Sequence, residues 1–288
     1  MRSRYRAGLW AMLAPFGTGA LVLVLLPVVV TAWFAFTRYD GLSPPRFVGL
    51  DVFRDLFRYT ELRDSLEATV LFLVLAVPLR ILGGLGLALL MHRRERLATT
   101  GRVAAYLPVV IPDAATALVW LWVVNPVYGP LGVVLRGSAG PVLTSPWGAR
   151  LVIVAISVFA LGEGFLVTLA ARRELPGVLY DVARTEGAGP LATFRRVTLP
   201  LLVPVLGLLA ARDLLTSMQV TLVPTLLLTN GGPLNATKTL PVLVYERGFR
   251  ELRFGDAAAL ALLLLGLTLL VVVVQVRLLR RWLVRSEQ

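Results

Sequence analysis

The 288-residue chain is 57% hydrophobic, has a mean hydropathy of +0.78 and carries a formal net charge of +12. Its uncharged runs, Ala7 to Thr37 and Ala257 to Val276, reach the roughly 20 residues, ~30 Å of helix, that a bilayer crossing needs. This excludes a soluble domain and defines a polytopic membrane protein. The positive charge does not indicate nucleic acid, because the arginines gather at the ends of apolar runs, where they set orientation.

In chain order, six spans are expected, at about 12–36, 66–91, 103–125, 150–171, 198–228 and 256–277. The first is too long for the core of a signal peptide and reads as a retained helix. The fifth is long and contains Pro200, Pro204 and Pro224. It is the expected place for a bend or re-entrant turn, since membrane helices accept such breaks when neighbours satisfy the backbone. The chain has no cysteine, which removes disulfides and thiolate metal sites.

One side of the spans carries Arg2, Arg4, Arg6, Arg93, Arg94, Arg96, Arg102, Arg172, Arg173, Arg184, Arg195, Arg196, Arg277, Arg280, Arg281 and Arg285 against few acids. On the other side, basic and acidic residues nearly balance. The arginine-rich side is therefore expected in the cytoplasm, with both termini and the loop between spans four and five. Segments 38–64 and 230–255 are then external.

That cytoplasmic loop, about 172–197, is longer than a chain reversal requires. Leu175, Leu179 and Val182 recur at helical spacing, and Asp181, Arg184 and Thr185 fall largely off their stripe. Gly187 and Gly189 permit a left-handed turn, and Pro190 suits the first turn of a second helix. The predicted unit is helix, glycine turn, helix. From periodicity alone it is equally a docking element or an amphipathic helix lying on lipid headgroups.

The segment resembles the cytoplasmic signature loop of the permeases of binding-protein-dependent ABC importers. The family pattern is Glu-Ala-Ala, three residues, Gly-Ala, then a Phe and an aliphatic-X-Leu-Pro ending. This chain has Asp181-Val182-Ala183, Gly187-Ala188, Phe194 and Val197-Thr198-Leu199-Pro200, so Asp replaces Glu and Val replaces the first Ala. Pro44 to Leu50, Leu107-Pro108 to Pro112 with Asn125-Pro126, and Thr229-Asn230-Gly231-Gly232-Pro233 followed by Ala236-Thr237 resemble further segments of the carbohydrate branch, in the maltose and glycerol-phosphate type of first permease. The Asn-Gly-Gly-Pro block is also an ordinary turn signal.

The resemblance implies an all-α, six-span, type I importer permease, a single transmembrane domain over 1–288. It implies a second homologous permease, two ATPase subunits, an extracytoplasmic substrate-binding protein and a sugar substrate, in the inner membrane of a bacterial or archaeal cell. Asp181, Val182, Ala183, Arg184, Glu186, Gly187 and Ala188 would couple to the ATPase, with Leu179, Val182 and Ala183 as the packed side. Asn230, Gly231, Gly232 and Pro233 would face the binding protein. The chain has no Gly-X4-Gly-Lys-Ser/Thr loop, and its one lysine, Lys238, is in an external loop. It is therefore expected to be non-catalytic and without a cofactor of its own, with ATP and Mg held by the ATPase subunits.

Arg80, Glu163, Arg212 and Asp213 fall near the middle of spans, where each charge costs about 2.5–3.5 kcal/mol on insertion scales. Glu163 and Asp213, with Ser217, Gln219 and Thr221 further along span five, are candidates for contact with a polar solute. The structural alternative pairs Arg80 with Glu163 and Arg212 with Asp213, although helix neighbours point about 100° apart. No His, Asp or Glu group has metal-ligand spacing, and no nucleophile–base set is present. A different function, an ion-coupled carrier acting alone through Glu163 or Asp213, would have no need of a docking loop; an intramembrane structural or signalling role is the third class considered.

Overall fold

The computed structural model describes residues 12–92, 96–134 and 142–286. Arg2, Arg4, Arg6, Arg93, Arg94 and Arg136, which enter the charge count by side, lie outside the described residues. The chain divides into two compact units, Met1–Leu62 with Leu243–Gly266, and Arg63–Val242 with Leu267–Gln288.

Helix α1, Met12–Phe34, leads the first unit and contains a wide turn at Leu21–Leu25. A short antiparallel hairpin follows, β1 Thr37–Arg38 with β2 Arg46–Phe47, in the register Thr37 to Phe47. Asp40 closes its turn by accepting from the amides of Leu42 and Ser43 at 3.0 and 2.8 Å. Those bonds favour the charged form and hold the Asp40 carboxyl below the usual range. Helix α2, Asp51–Arg58, buries Val52 and Leu56. In the same unit, Arg247 is buried between Glu61 and Glu251. Burial alone would lower its pKa; the bond and charge of Glu251, then Glu61 and Asp256, raise it overall.

The second unit holds most of the spanning helices. Helix α3, Thr60–Leu90, is 31 residues long and keeps Pro78 inside it. Helices α4, Arg96–Val110, and α5, Asp113–Val123, meet at a 104° bend. After α6, Pro130–Val134, come α7, Pro146–Phe159, and α8, Gly162–Glu174, bent by 45°. Helix α9, Gly177–Thr185, and α10, Pro190–Thr193, form the loop. A wide turn at Phe194–Thr198 then feeds α11, Leu199–Val220, followed by α12, Leu222–Leu228. Helix α13, Leu240–Tyr245, returns the chain to the first unit, which also holds a wide turn at Glu246–Arg250 and the start of α14, Phe254–Ser286; the rest of α14 belongs to the second unit.

Among the described residues, four helices are long and apolar enough to cross a membrane, or up to six spans if each bent pair counts as one. Span five is interrupted, as expected, between Val220 and Leu222, just before Pro224. Pro200 sits at the start of α11 and Pro204 is accommodated inside it, and the sharp bends fall in spans three and four. Span three breaks at Pro112, whose missing amide and fixed φ of −56° suit the start of α5. In span four the break precedes Gly162, where α8 presses on α4: a Cβ there would lie 2.5 Å from the Ala105 carbonyl oxygen. Beneath that contact Ala88, Phe165 and Leu169 form a buried cluster, with Leu161 and Leu166 packed against it.

Candidate functional site

Two places in the second unit carry the candidate residues. The first is the α9 loop. Pro176 caps its start in an extended conformation, and Gly187 ends it at φ +72°. The Ala188 amide donates to the Ala183 carbonyl at 2.9 Å and the Gly187 amide to the Arg184 carbonyl at 3.0 Å. This is the six-to-one, five-to-two closure that needs a left-handed residue just past the helix, hence glycine. Glu186 is the residue before it, exposed and at the C-cap.

Val178, Leu179 and Val182 stand 69%, 39% and 52% exposed on one side of α9. Ala183, expected with Leu179 and Val182 on the docking side, is instead 8% exposed and faces its own chain. Asp181 and Arg184 form a loose 3.5 Å pair in solvent, an arrangement that adds little stability and leaves both side chains available. Tyr180, which the sequence reading passed over, is half-buried; its hydroxyl lies 3.1 Å from Thr198 Oγ1. Its place just before Asp181-Val182-Ala183 was the available signal.

The second place is a cavity of about 160 Å³ beside the two broken spans, lined among others by Arg80, Asp113, Thr116, Ser157, Glu163, Thr216 and Thr221. Pro108, Ile111, Ile156 and Pro224 supply apolar wall. The four central charges pair, but not as expected. Arg80 Nη2 meets Asp213 Oδ1 at 3.0 Å, with side chains 14% and 10% exposed. Arg212 Nη2 meets Glu163 Oε2 at 2.6 Å, with side chains 49% and 44% exposed. Neighbours on one helix diverge, so Arg212 and Asp213 reach different helices instead of each other. The buried pair is joined through single atoms: Arg80 Nε and Asp213 Oδ2 are buried without a hydrogen-bond partner among the described residues.

Of the candidate solute residues, the cavity wall includes Glu163 and Thr221. Asp213 is engaged by Arg80, and Ser217 is buried with its Oγ unpaired. The Gln219 side chain lies outside the described residues. Thr221 Oγ1 is 3.4 Å from Thr239 Oγ1. Asp113, Thr116, Ser157 and Thr216 were missed; a bend at Pro112 that aims the start of α5 at the cavity is not legible in hydropathy. In the Asn230 to Pro233 block, Asn230 is exposed at φ 49°, a conformation asparagine tolerates. Thr237 Oγ1 donates to the Gly232 carbonyl at 2.9 Å and lies 2.7 Å from Thr229 Oγ1, closing the turn. Among the described residues no group of His, Cys, Asp or Glu could hold a metal ion.

Broken apolar spans around a polar cavity, with a capped helix projecting from the loop between two of them, define a multi-pass membrane permease. Residues 80–285 match the model of the family described as binding-protein-dependent transport system inner membrane component, and the chain belongs to that family. It is a permease subunit of an ABC importer. The sulfoquinovosyl glycerol transport system permease protein SmoG of Agrobacterium fabrum is 28% identical over 276 residues, covering 93% of this chain and 89% of its own. The fold matches a chain of a bacterial ABC transporter involved in the import of the acidic polysaccharide alginate, with a TM-score of 0.83, 22% identity and 96% coverage of both chains. A second structure of the alginate transporter, in complex with alginate pentasaccharide-bound periplasmic protein, matches with a TM-score of 0.82, 22% identity and the same coverage. The type I importer permease fold expected from the sequence is thus the fold observed. The ion-coupled alternative finds no support in the family match.

Proposed function

We propose that this chain forms half of the pathway through which an ATP-driven importer carries a sugar or oligosaccharide, and that it couples that pathway to a separate ATPase through α9. The observation that carries the coupling is the exposed apolar side of α9: Val178, Leu179 and Val182 stand out of the chain on a helix closed at both ends. Exposing such a side to water is unfavourable, and a cleft on a partner would remove the cost. Asp181, Arg184 and Glu186 then supply polar contacts at its edge, and Gly187 and Ala188 hold the turn.

A second permease completes the pathway, two ATPase subunits bind ATP with Mg, and an extracytoplasmic binding protein delivers the solute. Both termini and segment 172–197 are cytoplasmic. Segments 38–64 and 230–255 are external, with Asn230, Gly231, Gly232 and Pro233 toward the binding protein. The membrane is the inner membrane of a bacterial or archaeal cell. A sugar substrate is supported by the solutes named for SmoG and for the alginate importer, and by the hydroxyl-rich cavity wall at Thr116, Ser157, Thr216 and Thr221. Glu163 and Thr221 contact the solute directly, while Asp213 and Ser217 support the wall from behind; Gln219 belongs to the same stretch. Arg80 and Glu163 are paired with Asp213 and Arg212, so hydroxyl groups and the Asp113 carboxylate are the chemistry the cavity presents.

The test is to tag the chain, extract it in mild detergent and identify what accompanies it. An ATPase, a second permease and vanadate-sensitive ATP hydrolysis are expected. Val182→Lys, at a side chain 52% exposed, should preserve the chain in the membrane and lose the ATPase. A chain that purified alone and moved solute down a proton gradient would overturn the reading.

A further inference from the structure

Pro176 and Gly187 flank α9 as turn points, so the helix would be free to swing if nothing else held it. Tyr180 holds it at both ends of the loop. The Arg172 guanidinium carbon stands 4.3 Å from the centroid of the Tyr180 ring, and the Tyr180 hydroxyl is 3.1 Å from Thr198 Oγ1. Arg172 is in the last turn of α8, the helix that enters the loop. Thr198 is buried at the end of the wide turn that feeds α11, the helix that leaves it. One side chain of α9 therefore touches the helices on either side.

Two further facts sharpen this. Arg172 Nε is buried with no hydrogen-bond partner, and among the described residues no carboxylate pairs with this guanidinium. The face of the Tyr180 ring is thus the interaction its charge retains. Ala183, one turn beyond Tyr180, is the buried residue of α9, so the two lie on one side of the helix. Val178 and Val182 lie on the other, with the less exposed Leu179 at the boundary, one turn before Ala183. The inward side is braced and the outward side is bare.

We propose that Tyr180 is a positioning residue for transport: with Arg172 and Thr198 it forms a brace that makes α9 move as one body with α8 and α11. The proposal rests on the reading of α9 as the ATPase-coupling helix. A push on the bare side then displaces two spanning helices together. Without the brace the same push swings α9 about Pro176 and Gly187 and is dissipated in the loop.

The experiment uses the full transporter, co-expressed and reconstituted in liposomes, and reads solute uptake per ATP hydrolysed. Tyr180→Leu removes ring and hydroxyl, Arg172→Gln removes the cation, and Tyr180→Phe and Thr198→Val each remove the hydrogen bond alone. Both Tyr180→Leu and Arg172→Gln should retain the ATPase and its turnover, while uptake per ATP falls about five-fold in Arg172→Gln, the scale of one cation–π contact, and about ten-fold in Tyr180→Leu, which loses the hydrogen bond as well. Tyr180→Phe and Thr198→Val should each lower it about two-fold, the scale of one part-exposed hydrogen bond. The double variant should be no worse than either single one, because both remove the same bond. A merely structural role would lower uptake and hydrolysis together, in step with the amount of assembled complex.

Unchanged uptake per ATP in Tyr180→Leu would overturn the brace and leave the coupling reading standing. Loss of the ATPase from that variant would also overturn it, since Tyr180 would then serve docking. Should Tyr180→Leu fail to accumulate, additive losses in Tyr180→Phe and Thr198→Val would overturn the brace and a shared loss would sustain it. If the unsubstituted chain binds no ATPase, the coupling reading fails and the brace falls with it.

Discussion

The two central ion pairs share the segment Arg212-Asp213 yet should respond very differently to neutralisation. Asp213→Asn leaves Arg80 charged in a place where it was 14% exposed and its partner 10% exposed. Removing one member of such a buried pair costs about 3–5 kcal/mol, because the remaining charge is uncompensated. Glu163→Gln acts on a pair with side chains 44% and 49% exposed, for which about 0–1 kcal/mol is the usual scale. Replacing both buried members, Arg80→Met with Asp213→Leu, should recover most of the loss, since Arg80 Nε and Asp213 Oδ2 were unpaired from the start. The assay is denaturation of the purified chain in mixed micelles, followed by circular dichroism, with the three variants and the unsubstituted chain measured side by side. Equal losses for Asp213→Asn and Glu163→Gln would refute the distinction between one buried pair and one half-exposed pair. A double variant worse than Asp213→Asn would refute the claim that stranded charge is the cause.

Gly187→Val should cost about 1–2 kcal/mol for a branched residue at φ +72° and sharply reduce ATPase co-purification. Gly187→Asn should retain most of it, since no atom lies within 4 Å of the added Cβ and asparagine accepts the conformation. Gly162→Ala sets a Cβ 2.5 Å from the Ala105 carbonyl and should cost about 1–3 kcal/mol by overpacking, read as a lowered denaturation midpoint. Gly164→Ala, two residues on with open space at its Cβ, should be neutral or stabilising by up to about 1 kcal/mol from helix propensity. Thr237→Val leaves the Gly232 carbonyl without its 2.9 Å donor, a loss of about 1–3 kcal/mol. It should show as faster proteolysis within 230–239 when protease is added outside sealed cells stripped of their outer layers.

The membrane character and the span positions are legible because both rest on single-residue chemistry summed along the chain. The apolar runs at 12–36 and 256–277 correspond to Met12–Phe34 and the first part of α14. The placement of bends was not legible, and the reason is physical. Proline marks a position where a helix can break, yet Pro78 and Pro204 sit inside helices that continue, while Pro108 and Pro112 flank the break in span three. What decides is whether neighbouring helices demand the bend. Gly162 is pressed on Ala105, 57 residues earlier in sequence, and no window along the chain contains both.

The charges teach the same lesson at the level of chemistry. Composition required that Arg80, Glu163, Arg212 and Asp213 be neutralised at membrane depth, and they are. It did not fix the partners, which depend on where three helices face. Asp213 looks inward to Arg80 on α3, and Arg212, turned about 100° from it, looks to Glu163 on α8. The consequence is that α11 is tied by adjacent residues to two different helices. Had the pairs formed as sequence suggested, with Arg212 on Asp213, α11 would have spent its charges on itself and gained no link to either neighbour. The observed exchange gives the helix that follows the 172–197 loop two electrostatic attachments at mid-span. Displacement of α11 must therefore carry α3 and α8 with it or break a charge pair, and the second is the costlier course where the pair is buried.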